Sequence, residues 1–158
     1  MLIAKTQDDL PTREQLLSMS GLEFMQRIRD GLLPRPPISV VLNYTIDAVS
    51  DGHVVFHGTP KFDHTNPMGG VHGGWYGTLL DSCMACAVMT KVPKGSFYTT
   101  LEYKINITRA IPVGTSIKAV GQIDHAGRST AVAHGEIRGL QDDRLYATGT
   151  TTCLIMTP

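Results

Sequence analysis

Two features of this 158-residue chain have residue types that can do chemistry at a telling spacing: a lone acid in an apolar stretch, and a histidine followed by two glycines. Asp81 sits within Trp75 to Met89, where Leu79, Leu80, Cys83, Met84, Ala85, Cys86, Ala87, Val88 and Met89 are apolar on nearly every side. A helix that apolar belongs inside the protein. A carboxylate there needs a partner or carries a large desolvation penalty. Eight residues earlier, His72-Gly73-Gly74 closes a glycine-rich turn that opens at Asn66-Pro67. If the helix starts there, its first N–H groups have no internal partner and carry partial positive charge. Gly73 and Gly74 have no side chain, so a polarised carbonyl oxygen can approach those groups closely.

The stripe at helical spacing through the acid reads Gly74, Gly77, Thr78, Asp81, Ala85. All but the acid are small, so a ligand, another helix or a strand can lie along it. Val71, Trp75, Tyr76 and Met84 suggest an apolar pocket nearby.

Asn66, the His72-Gly73-Gly74 triplet and Asp81 resemble the signature of hotdog-fold acyl-CoA thioesterases, in particular the phenylacetyl-CoA thioesterase-like branch. The stretch from Tyr98 to Ile111 resembles that family's strand after the helix, and the likeness covers roughly residues 20 to 156. The resemblance implies hydrolysis of an acyl-CoA to free acid and CoA, with no cofactor and no metal. It makes the Gly73 N–H the oxyanion donor and Asp81 the general base or nucleophile. Asn66 orients the thioester or the water, His72 assists near the carbonyl or thiolate, and Thr99 or its neighbour Thr100 holds water against Asp81. Gly74, Val71, Trp75 and Thr100 line the substrate. Arg109 and Arg128 are the favoured cations for the CoA phosphates, with Lys91, Lys94 and Lys104 behind them.

Geometry adds a condition. Eight residues of helix span ~12 Å along the axis, so one thioester carbon cannot touch Gly73 and Asp81 of the same chain. If both act, the second comes from an antiparallel partner helix at a two-fold interface. The resemblance likewise implies shared sites in a homodimer, and a dimer of dimers beyond it. Three other classes compete, and a purely structural dimerisation module is one, though it would not need Asp81 in an apolar helix. A non-catalytic acyl-CoA sensor needs an added effector surface. A hotdog hydroxyacyl-CoA dehydratase places prolines around the glycine before the helix, a pattern that Gly69-Gly70-Val71-His72-Gly73 lacks.

The elements that must hold these residues read as α+β. One long central helix is wrapped by a five- to six-stranded, mostly antiparallel sheet, with an extra N-terminal helix, and the resemblance implies the hotdog fold. Residues 1–158 read as a single hotdog thioesterase domain, with 1–11 flexible and 12–31 forming the N-terminal helix, opened by Thr12 and Gln15 at capping-box spacing. Pro34, Pro36 and Pro37 end that helix. Strands are expected over Ser39–Ala48, His53–Thr59, Thr115–Asp124, Ser129–Arg138 and Leu145–Met156. The best alternation puts Thr99, Leu101, Tyr103, Ile105 and Ile107 on the face toward the helix.

Bulk properties narrow the class. Net charge is zero and charged residues are 18%, which argues against a nucleic-acid surface and leaves any anion site local. Asp81 and Ser82 interrupt the longest apolar run before the ~18 residues of a membrane span. The N-terminus does not read as a signal peptide, so the expected location is the cytoplasm. Cys83, Cys86 and Cys153 have no framework spacing, and the C-x-x-C lies inside the helix, where buried free thiols are expected. His53, His57, Asp63 and His64 match no compact metal-ligand spacing.

Overall fold

The computed structural model describes residues 2–158; Met1 lies outside the described residues. Thr12 opens α1 (Arg13–Leu17) with the expected reciprocal cap. The Gln15 N–H donates to Thr12 Oγ1 at 3.2 Å, and the Thr12 N–H donates to Gln15 Oε1 at 2.9 Å. The helix expected over 12–31 is in two pieces. Ser20 starts the second, α2 (Gly21–Arg29), by accepting from the Glu23 N–H at 3.2 Å. The stretch before α1, expected to be flexible, holds a 3-10 turn at Gln7–Asp9, and Ile3 bridges to Arg35.

The strand expected from Ser39 starts later. Pro37 begins a short helix, α3 (Pro37–Val41), because its fixed φ suits the first helical position and its missing N–H is not needed there. Asn43, at φ 53°, then turns the chain into the sheet.

Six strands make that sheet: β1 (Tyr44–Ser50), β2 (His53–Gly58), β3 (Phe97–Ile107), β4 (Ile117–Ala126), β5 (Thr130–Gly139) and β6 (Leu145–Met156). Their order is β1-β2-β4-β5-β6-β3, and every pairing is antiparallel. Across the sheet runs the long helix α4 (Gly73–Met89), with Leu79, Leu80, Cys83, Met84, Ala87 and Val88 fully buried. This is the α+β hotdog architecture. The helices α1 to α3 are additions to it, and α2 packs on β1 and α4.

A row of glycines sets how close α4 comes. Gly121, Gly135 and Gly149 face one another across β4, β5 and β6. A β-carbon on Gly121 would collide with the Cys83 carbonyl, and one on Gly135 would lie 2.8 Å from Met84 Cγ. The helix therefore rests on bare backbone at Cys83–Met84, two to three residues past the acid. The same approach buries the Cys83 thiol and pushes its pKa well up, while Cys86, partly buried on the cavity side, is pushed to about 12 by desolvation. They are free cysteines, as expected.

The alternation assigned to β3 is right for only half of the strand. Thr100 pairs with Cys153 and Glu102 with Thr152, so Leu101 is an extra residue, a bulge that re-aims what precedes it. After the bulge, Tyr103, Ile105 and Ile107 face α4: a β-carbon built on Gly77 would meet Tyr103 Oη at 3.4 Å, and one on Gly73 would meet Ile107 Cδ1 at 3.6 Å. Before the bulge, Thr100 faces the helix and Thr99 is exposed. The expectation that Thr99 points at Asp81 is thereby corrected to Thr100.

Candidate functional site

The N-terminal end of α4 is built by the loop before it. Asn66 closes that loop: its Oδ1 accepts from the N–H groups of Met68 at 3.0 Å and Gly70 at 3.2 Å, and its own N–H donates to Gly70 O at 2.8 Å. The carbonyl side of the amide is thus committed to the turn, and Nδ2 is left as the donor that can reach outward. The His72 N–H donates to His64 O at 2.8 Å, which delivers His72 to the cap position.

His72 is the cap itself. Its Nδ1 accepts from the Gly74 N–H at 2.8 Å, and its carbonyl accepts from the Trp75 N–H at 2.9 Å. Gly73, the first helical residue, lies between them, and among the described residues its N–H has no acceptor. One donor at the positive end of the helix is therefore free while its neighbours are used. Gly74 is exposed, but its N–H is spent on the histidine.

The acid end differs. Asp81 is half-buried, and Thr100 Oγ1 donates to its Oδ1 at 3.2 Å. Burial raises its pKa above the ordinary carboxylate value; the Thr100 hydroxyl opposes the rise. Beside it, Ser82 Oγ and Tyr44 Oη are hydrogen-bonded at 3.0 Å. Ser82, Cys86 and Met89, one face of α4, open on a cavity of about 350 Å³. Phe24 and Met25 from α2, Tyr44 from β1 and Tyr98 from β3 close it. Its walls are largely apolar and it is of ligand size.

The other expected residues fall as follows. Trp75 is buried with its Nε1 donating to Leu42 O at 2.9 Å, and Tyr76 Oη accepts from the Ile111 N–H at 2.8 Å. With Val71 and Met84 they belong to the core and do not line the cavity. Arg109 follows β3 at the Gly73 end of α4. Arg128 lies in the β4–β5 turn, where the Ile155 N–H donates to Ser129 O, at the opposite end. Within one chain the two arginines are therefore not brought together. His64 is structural: Lys61 N–H donates to its Nδ1 at 2.9 Å and Nε2 bonds Val41 O at 2.7 Å. Among the described residues no three His, Cys, Asp or Glu side chains gather as a metal site. No helix there is long and apolar enough to cross a membrane.

Sequence reasoning missed Ser82, Cys86 and Tyr98 as cavity walls. The signal was present in part, since Ser82, Cys86 and Met89 share a helix face. What they face is set by α2 and β1, far away in sequence.

With this geometry in view, the comparisons with known proteins agree. The sequence profile of the thioesterase superfamily matches residues 68–146. A hypothetical thioesterase protein of Streptococcus pneumoniae TIGR4, solved with coenzyme A, is 30% identical; the match covers 76% of this chain and 91% of that one, with a TM-score of 0.68. A phenylacetic acid degradation-related protein of Ralstonia eutropha JMP134 is 28% identical over 83% of this chain and 98% of that one, with a TM-score of 0.75. Thioesterase superfamily member 2 of zebrafish is 25% identical over 84% and 96%, with a TM-score of 0.71. No curated protein matches by sequence. The chain belongs to the thioesterase superfamily and has its hotdog fold. The chemistry of that class is thioester hydrolysis.

Proposed function

We propose that this protein hydrolyses an acyl-CoA thioester to the free acid and CoA, at a site shared between two copies of the chain. The observation that carries the reading is Asp81: an acid inside an apolar helix, bonded to the Thr100 hydroxyl and beside a ligand-sized cavity. A carboxylate whose pKa is raised by burial is a better proton acceptor than an exposed one.

In this reading the thioester carbonyl oxygen lies on the free Gly73 N–H, and Asn66 Nδ2 adds a second donor or orients the attacking water. His72 holds the helix start in shape. Asp81, steadied by Thr100, takes a proton from water as the water oxygen bonds to the carbonyl carbon; in the alternative route its carboxylate bonds to that carbon, and water then hydrolyses the resulting mixed anhydride to the free acid and Asp81. In both routes the C–S bond breaks after the first attack, and the CoA sulfur leaves with a proton. No cofactor is called for. Gly73 and Asp81 lie ~12 Å apart along one helix, so the donor and the acid come from different chains. The edge strand β3 favours such pairing: it runs eleven residues with one side unpaired, and exposes Leu101, Tyr103 and Ile107. A long apolar edge of this kind is a template for another chain. The similar streptococcal protein was solved with coenzyme A, which supports a CoA thioester over other thioesters.

The test is thiol release over a panel of acyl-CoAs. Turnover supports the reading. Tight binding without turnover would instead make the protein a sensor, and hydration of an enoyl-CoA would make it a dehydratase.

A further inference from the structure

Arg35 is unusual on physical grounds. Among the described residues its Nε is buried without a hydrogen-bond partner, and no acid forms an ion pair with it. A guanidinium kept only for solubility would leave that nitrogen in water. Instead Arg35 forms part of the wall of the apolar cavity that reaches Ser82 and Cys86. It also borders a second, more polar cavity of about 370 Å³, sharing Ser39, Tyr44 and Thr45 with the first. The backbone fixes its place. Pro34 and Pro36 stiffen both sides, the Arg35 N–H donates to Leu2 O at 3.1 Å, and its carbonyl accepts from the Ala4 N–H at 3.2 Å.

We infer that the acyl group occupying this cavity carries an anionic terminus, a carboxylate at the far end of its chain, which Arg35 receives. The inference rests on the proposed acyl-CoA hydrolysis and names its substrate class. Three features fit one ligand: an apolar barrel beside Asp81, closed by α2, with an unanswered cation in its wall. The apolar walls take the methylene chain. The half-buried guanidinium lacks a counter-charge, and a carboxylate matches its planar fork with two parallel hydrogen bonds. A chain ending in a methyl group would leave the cation without a counter-charge in the complex as in the free protein.

The experiment compares octanoyl-CoA with suberoyl-CoA, which has the same chain length and ends in a carboxylate. The wild-type protein and Arg35→Leu are assayed by thiol release, with melting temperature as the check on folding. The wild type is expected to favour suberoyl-CoA in kcat/KM by about tenfold or more. Arg35→Leu should cancel or reverse that preference, the change residing mainly in KM. Arg35→Lys, which keeps the charge and loses the fork, should fall between the two, and it stands in if the leucine variant does not fold. A wild type that hydrolyses octanoyl-CoA as well as suberoyl-CoA would overturn the inference and leave the thioesterase reading intact. So would an Arg35→Leu protein that loses both substrates in equal proportion, because Arg35 would then be serving the CoA phosphates common to them. A wild type that hydrolyses no acyl-CoA at all would remove the reading itself, and the inference with it.

Discussion

Two positions on α4, its first residue and its middle, sit in opposite settings. At Gly73 the helix is open, and its chemistry is a hydrogen-bond donor: the histidine cap answers Gly74 and Trp75, and the N–H between them is left over. At Asp81, mid-helix, the surface is half-buried and the group it offers is a proton acceptor, answered by the Thr100 hydroxyl and next in sequence to Ser82, which lines the apolar cavity. An open helix start is a good place to receive an oxyanion, because donor and dipole point the same way. A half-buried position suits a base, because desolvation raises its affinity for a proton. The difference teaches why one helix carries both groups and cannot use both on one thioester. Each end needs a setting that the other would spoil.

The largest expected effect breaks the acid end. Asp81→Asn keeps the shape and can still accept from Thr100, but it removes the basicity, so kcat should fall by about 10²–10⁴. Stability should move the other way. The folded pKa of Asp81 lies above its unfolded value, so folding gains as pH falls through that pKa, and the ionised acid is a cost at neutral pH. The melting temperature of Asp81→Asn at neutral pH should therefore equal or exceed that of the wild type. Turnover within a few-fold of wild type, in a folded protein, would end the assignment.

The next breaks the donor end. Gly73 is the first helical residue and His72 is already extended, at φ −64° and ψ 139°. Proline is accepted at that position after such a neighbour, and Gly73→Pro deletes the free N–H there. It should lower kcat by about 10²–10³. Gly73→Ala keeps the N–H and places its β-carbon at ordinary contact, 3.6 Å, from Ile107 Cδ1, so its loss should be several-fold at most. Equal losses in the two variants would mean that the N–H is not the donor.

A smaller effect sharpens the acid end. The Thr100 hydroxyl favours the ionised form of Asp81. Activity should fall on acidification with a midpoint above the ~3.9 of free aspartate, and Thr100→Val should move that midpoint to higher pH. Thr99→Val should leave it in place. A shift with Thr99→Val alone would reverse the assignment made from the bulge.

Much of this was legible in the sequence, for reasons that differ by residue. Asp81 stood out because an acid in an apolar run is costly without a use, and the cap at His72 because glycines and a helix start leave a plain signal. The strand from Leu145 to Met156 has the bounds its pattern gives. The bulge at Leu101 was not legible, since one inserted residue leaves the alternation of residue types intact while reversing the faces before it. Nor was α3, where proline reads as a helix breaker yet serves as a helix starter. Trp75 and Val71 read as pocket residues because apolar type does not separate a core from a cavity. The cavity itself depends on α2 meeting β1 and α4, contacts between segments that no local pattern connects. Arg35 was invisible for the same reason: its oddity is a missing partner, which only the packing reveals.

The central claim is that the open end of one helix works with the acid of another, and mixing two damaged proteins tests it most directly. Asn66→Ala spoils the donor end and Asp81→Asn the acid end, so each homodimer has two damaged sites. If sites are shared, a heterodimer has one site carrying both changes and one carrying neither. With random exchange and equal stability, half the dimers are mixed and about one quarter of all sites are restored. The measurement is thioesterase activity after the two variants are unfolded and refolded together, with heterodimers isolated through different tags. The account predicts about a quarter of wild-type activity in the refolded mixture and about half in the isolated heterodimers, absent from either variant refolded alone. Isolated heterodimers no more active than the separate variants would contradict it.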